Sequence, residues 1–143
     1  MIKKDTDTPE RRLILHNDIR QIPQLAGFVE AIAREASLGQ SLALSLNLAL
    51  EEAVTNVILY AYPEGSDGLV DIEAVIRNGS VKFIVSDSGM PFDPTKTPPA
   101  NIEASLEERR IGGLGIHLVR TIMDSVTYRR KHGMNYLTMT KNI

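Results

Sequence analysis

The dipeptide Asn78-Gly79, set between two runs rich in β-branched and aromatic residues, constrains this chain more than any other feature. Asn-Gly between apolar runs is the strongest short hairpin signal, so residues 69–77 and 81–87 are predicted to pair as antiparallel strands. In the second run Val81, Phe83 and Val85 alternate with Lys82, Ile84 and Ser86, giving one apolar face and one mixed face. A second antiparallel pair is expected from residues 125–131 and 135–141 around His132-Gly133-Met134, and a first strand from residues 12–16.

Helical spacing accounts for most of the rest. Leu25, Phe28, Val29, Ile32 and Ala36 recur every three or four residues, predicting an amphipathic helix over 22–36. After Gly39, Leu42, Leu46, Ala49, Leu50, Ala53, Val57 and Ile58 form the stripe of a longer helix over 41–60. The Pro- and Gly-rich stretch 63–68 stops it. A last helix is expected over 113–123, with Leu114, Leu118, Val119 and Ile122 on one face. Residues 88–111 fit neither period. They carry Pro91, Pro94, Pro98 and Pro99, then a charged piece over 103–110 that reads as a short helical turn. A connection this long inside a small domain is usually a lid or binding loop, and the glycines that close it favour a lid over about 91–112. The order β-α-α-β-β-lid-α-β-β predicts an α+β two-layer sandwich: a mostly antiparallel mixed sheet with helices on one face, and one domain over 1–143.

Composition narrows the chemistry. The chain has 143 residues, 43% hydrophobic and 24% charged, the proportions of an ordinary globular domain. Its 16 Lys+Arg against 18 Asp+Glu leave −2, which argues against a dedicated nucleic-acid binder. With no cysteine, disulfides, thiolate catalysis and Cys-held metal are excluded. His16, His117 and His132 are too scattered for a His-only metal site. The polar start Met1-Ile2-Lys3-Lys4-Asp5 and the absence of any run of ~18 apolar residues predict no secretory signal, no transmembrane helix and a cytoplasmic location.

Three short motifs carry chemistry. Glu52 and Asn56 lie four apart in the long helix and project from one face, where they could supply a hard oxygen ligand for Mg²⁺ and an acceptor for a hydroxyl proton. Glu51 lies ~100° around the helix and points elsewhere. Taken alone, the pair is as well explained by a solvated helix face. Asp87-Ser88-Gly89 closes an apolar strand; such a carboxylate can accept from an exocyclic amine, and Gly89 allows close backbone approach, although strand-ending Asp-Ser-Gly turns are common. Gly112-Gly113-Leu114-Gly115 runs into a helix, where free backbone N–H groups could cradle a phosphate or merely form a hinge. The spacing is neither that of a Walker loop nor that of a dinucleotide fingerprint.

In this order the three resemble the N, G1 and G2 boxes of the ATPase superfamily shared by DNA gyrase, the heat-shock chaperone, histidine kinases and mismatch-repair proteins (GHKL). Within it they are most similar to the bacterial anti-sigma factor serine/threonine protein kinases. The likeness rests on Glu52-Ala53-Val54-Thr55-Asn56, on Asp87-Ser88-Gly89-Met90-Pro91-Phe92-Asp93-Pro94, and on Gly113-Leu114-Gly115-Ile116-His117-Leu118-Val119, and it covers essentially the whole chain. It implies that Asn56 coordinates Mg²⁺ on the phosphates of ATP and that Glu52 is the general base for a Ser or Thr hydroxyl. It likewise implies that Asp87 binds the adenine amine with Gly89 beneath the base, and that Gly113, Leu114 and Gly115 contact phosphate. Arg109 or Arg110 of the lid would reach the phosphates. The implied partners are an anti-anti-sigma protein of the STAS type, a sigma factor and a second copy in a homodimer, with no direct nucleic acid and no membrane. The alternatives are a nucleotide-binding regulatory module without transfer, or an ATPase domain related to histidine kinases. One departure stands out: many relatives carry Gly-Thr before the last strand, with the Thr near adenine, whereas this chain places Met134-Asn135 there.

Overall fold

In a computed structural model of the chain, residues 11–96 and 114–143 are described. Strand β1 (Arg11–His16) leads through a 3-10 turn, Ile19–Gln21, capped by the Asp18 carboxylate, into helix α1 (Gln24–Ala36). Helix α2 (Gln40–Asn56) follows and widens at its end into a π-helical turn, Val57–Ala61. Strands β2 (Leu69–Arg77) and β3 (Ser80–Asp87) form the expected hairpin. Asn78 (φ 45°) and Gly79 (φ 79°) both take the left-handed conformation that a type I′ turn requires. Helix α3 (Leu114–Ile122) precedes β4 (Ser125–Lys131) and β5 (Met134–Asn142), which turn at His132 (φ 53°) and Gly133 (φ 78°) in the same way.

The sheet runs β1-β2-β3-β5-β4, the mostly antiparallel sheet expected from the sequence, and among the described residues every pairing is antiparallel, with no parallel pair to make it mixed. Hairpin turns join β2 to β3 and β4 to β5, and short turns of this kind connect antiparallel strands. Leu15, Val70, Ile72, Phe83, Val85, Leu137 and Met139 face the helices and share one core with Leu25, Ile32, Leu46, Leu50 and Val119. The other sheet face carries Asp71, Lys82, Thr138 and Arg129.

Two helical details differ from expectation. The face of α3 that is buried holds Ile116 and Val119, continued by Met123 just past its end, whereas Leu118 and Ile122 are only partly covered. The helix is turned so that Gly115 meets α2, and its stripe turns with it. The long helix also does not stay α-helical to residue 60. Its 22 residues Gln40–Ala61 are long and apolar enough to cross a bilayer by length and composition; Leu46, Ala49, Leu50, Ala53 and Val54 are buried in the core just described, while Leu44, Leu48 and Leu59 are exposed.

Candidate functional site

The C-terminal half of α2 is where the motifs meet. Glu52 and Asn56 are both partly buried, and among the described residues no side chain bonds to either carboxylate or amide. Gly115, in the first turn of α3, is packed directly against them. A Cβ at that position would lie 2.9 Å from Glu52 Oε2 and 3.3 Å from Asn56 Nδ2. The absence of a side chain at Gly115 is therefore what lets the start of α3 approach the Glu52–Asn56 face. Burial, and then the neighbouring charge of Glu51, raise the Glu52 carboxyl above the usual carboxylate range. Glu51 itself is turned away and accepts from Asn47 Nδ2 at 3.2 Å.

One turn further on, the π-helical segment decides where the second motif sits. On an α-helical path, position 61 would lie ~140° around the axis from position 56, five steps of 100° less a full turn. A turn closed i→i+5 instead brings it back towards the same side. The chain leaves the helix at Tyr62, in extended conformation, so the Ala61 carbonyl is open to accept. It accepts from the Met90 N–H at 2.8 Å. Gly89 lies so close that a Cβ there would be 2.3 Å from this same oxygen. Its φ is not positive, so close approach rather than unusual backbone is the reason for glycine.

Asp87, at the end of β3, is 2% exposed. Its Oδ1 accepts from the Gly89 N–H (2.9 Å) and from Asn135 Nδ2 (2.9 Å). Burial raises its proton affinity; the Asn135 amide, the Gly89 N–H and the nearby Arg130 guanidinium pull it back down. Arg130 Nη1 also donates to the Gly89 carbonyl at 2.8 Å. The register explains this gathering, because Asp87 faces Asn135 across β3 and β5, and Asn135 faces Arg130 across β5 and β4. Phe92, two residues beyond Met90, stacks obliquely on Tyr60 of the π turn, with ring centroids 5.4 Å apart. The Tyr62 hydroxyl accepts from the Ser88 N–H (3.1 Å) and donates to the Leu69 carbonyl (2.6 Å).

Glu52 and Asn56 are thus carried by one helix, Gly115 and Gly89 are packed on it and on the turn that ends it, and Asp87 is tied to that turn through the Gly89 N–H. Leu114 opens α3 beside them. Gly113, Arg109, Arg110 and most of the expected lid lie outside the described residues. A separate cavity of about 920 Å³, lined by residues 16–21, 58–59 and 62–67, includes none of the expected site residues. Sequence reasoning had no role for Tyr128, Arg130, Tyr62 or Phe92, and left Asn135 without one. Their partners lie across strands or far along the chain, where short motifs carry no signal.

The family model of the histidine kinase-like ATPase domain matches residues 15–141. The chain belongs to that family. Among relatives of this ATPase domain, the serine/threonine-protein kinase BtrW of Bordetella bronchiseptica is 28% identical over 115 residues, covering 80% of this chain and 81% of that protein. The serine-protein kinase RsbW of Staphylococcus aureus is 35% identical over 101 residues, 67% of this chain and 63% of that protein. In fold, the domain is similar to a crystal structure of the RsbU and RsbW domains of a Mycobacterium tuberculosis protein. There the TM-score is 0.64 at 15% identity, covering 94% of this chain and 33% of that one. The ATPase family and the kinase names of both sequence relatives support the expectation of an ATP-binding protein serine kinase.

Proposed function

We propose that this chain is a bacterial, cytoplasmic anti-sigma regulatory factor that transfers the γ-phosphoryl group of ATP to a Ser or Thr of an anti-anti-sigma partner of the STAS type. In its other role it holds a sigma factor, acting as a homodimer. The observation that carries the reading is the packing of Gly115 on Glu52 and Asn56. It sets the start of α3, where helix N–H groups are free, beside a helix face whose Glu52 and Asn56 side chains bond to no described residue. The donor set fits Mg²⁺, which takes a few hard protein oxygens and keeps the remaining positions for water and phosphate. Asn56 Oδ1 is the oxygen for it, and a bound Mg²⁺ would supply charge neutralisation on the phosphates. Gly113, Leu114 and Gly115 would hold phosphate oxygens through their N–H groups. Asp87 would accept from the adenine amine and set how deep the nucleotide sits. Glu52, whose proton affinity is raised by burial and by Glu51, would take the proton of the attacking hydroxyl.

The test is incubation with γ-labelled ATP, Mg²⁺ and STAS-type partners from a bacterial source. Label is expected on a partner Ser or Thr, lost in Glu52→Gln while calorimetry still detects ATP binding. Transfer unaffected by Glu52→Gln removes Glu52 as the base. ATP binding without transfer to any partner reduces the chain to a nucleotide-binding sequestration module.

A further inference from the structure

Asn135 stands at the point where the chain departs from the pattern it otherwise resembles, and it is 4% exposed. All four bonding positions of its amide are used. Nδ2 donates to Asp87 Oδ1 (2.9 Å) and to the Met90 carbonyl (2.9 Å). Oδ1 accepts from the Phe92 N–H (3.3 Å) and from the Tyr128 hydroxyl. The amide orientation is unambiguous, because the Phe92 N–H can only donate and the Met90 carbonyl can only accept. A buried amide with all its bonds made cannot turn without leaving several polar groups unsatisfied.

The effect on Asp87 is specific. Its Oδ1 is filled by Asn135 and by the Gly89 N–H, whereas Oδ2 accepts from no described residue. Two N–H donors converging on Oδ1, with the Arg130 guanidinium nearby, favour the ionised carboxylate over the acid. We propose that Asn135 is a positioning residue of the nucleotide site: by filling Asp87 Oδ1 and the Met90 carbonyl together, it fixes the carboxylate as a pure acceptor with Oδ2 presented, and so selects a purine bearing an exocyclic amine over one bearing an exocyclic oxygen. This rests on the nucleotide reading above. A carboxylate so held meets the 6-amino group of adenine as a donor and the 6-oxo group of hypoxanthine as a second acceptor. Without Asn135 the carboxyl is free to rotate, or to keep a proton and donate to the 6-oxo group.

Calorimetric titration of ADP and IDP with Mg²⁺ separates the possibilities. The wild-type chain is expected to prefer ADP. In Asn135→Leu, ADP affinity is expected to fall about tenfold, the scale of a lost hydrogen bond to a charged group, while IDP affinity changes by less than about twofold. An ADP/IDP ratio unchanged in Asn135→Leu overturns the proposal and leaves the nucleotide reading standing; a wild-type chain that binds neither overturns both. Asn135→Asp keeps the experiment decisive if the leucine variant does not fold. It sets a second carboxyl against Asp87, with Arg130, Tyr128 and Tyr62 as the other titratable groups around the pair. In that variant ADP affinity is expected to rise as pH falls from 8 to 6, because one shared proton restores the donor; in wild type it does not rise. Parallel pH profiles for the two overturn the proposal.

Discussion

Asp87, at the end of β3, is a carboxyl only 2% exposed. Burial raises its pKa above that of an exposed carboxyl, so between the unfolded and folded values the folded chain binds more protons than the unfolded chain. The stabilising contribution of this group is therefore complete below the unfolded pKa and is lost as pH rises through the folded one. At pH 8 the folded state keeps a carboxylate that it would be more stable without. Asp87→Asn is accordingly expected to raise the thermal midpoint at pH 8, read by differential scanning calorimetry. On the proposed function the same substitution would remove the acceptor for the adenine amine, and it is expected to weaken ADP by about 1–3 kcal/mol in titration. A variant that loses stability and keeps ADP affinity would remove Asp87 from the site. Glu52 shifts in the same direction, again through burial first, with the neighbouring charge of Glu51 adding to it.

At the scale of elements, two glycines make the same substitution read differently. At Gly89 a Cβ would be 2.3 Å from the Ala61 carbonyl oxygen, which is backbone and cannot step aside. Gly89→Ala is expected to break the Met90–Ala61 hydrogen bond and destabilise the fold by about 1–3 kcal/mol, measured by urea unfolding. At Gly115 the nearest atoms are the ends of the Glu52 and Asn56 side chains, and alanine favours a helix by up to ~1 kcal/mol over glycine. Gly115→Ala is expected to leave the urea midpoint within experimental error and to abolish transfer by pushing those two groups aside. Which elements could be read in the sequence follows the same logic of range. Asn78-Gly79 announces its own turn, and Leu25, Phe28, Val29 and Ile32 mark a buried face by spacing alone. The Glu52–Asn56 face was legible for the same reason. The π turn at Val57–Ala61 was not, because the Met90 N–H that its last carbonyl accepts comes from a distant stretch of the chain. Nor was Asn135, whose bonds reach back to Asp87, Met90 and Phe92.

For the molecule as a whole, one apolar layer lies between the helices and a single face of the sheet, and Phe83 is fully buried near its middle strand. Phe83→Ala is expected to lower stability by about 3–5 kcal/mol in urea unfolding. ADP at about a hundred times its Kd should restore ~2.7 kcal/mol of that, because only the folded chain binds it. A loss that saturating ADP leaves untouched would show that nucleotide and core are not linked. The core also has a bearing on how the two ends of the proposed nucleotide site are kept in step. Asn56 at one level and Ala61 at the next are stations on a single rod, so their separation is gauged by the pitch of one helix rather than by the sum of several loops. A residue added or removed between them would wind one station against the other, and both halves of the site could stay intact yet no longer span the same molecule.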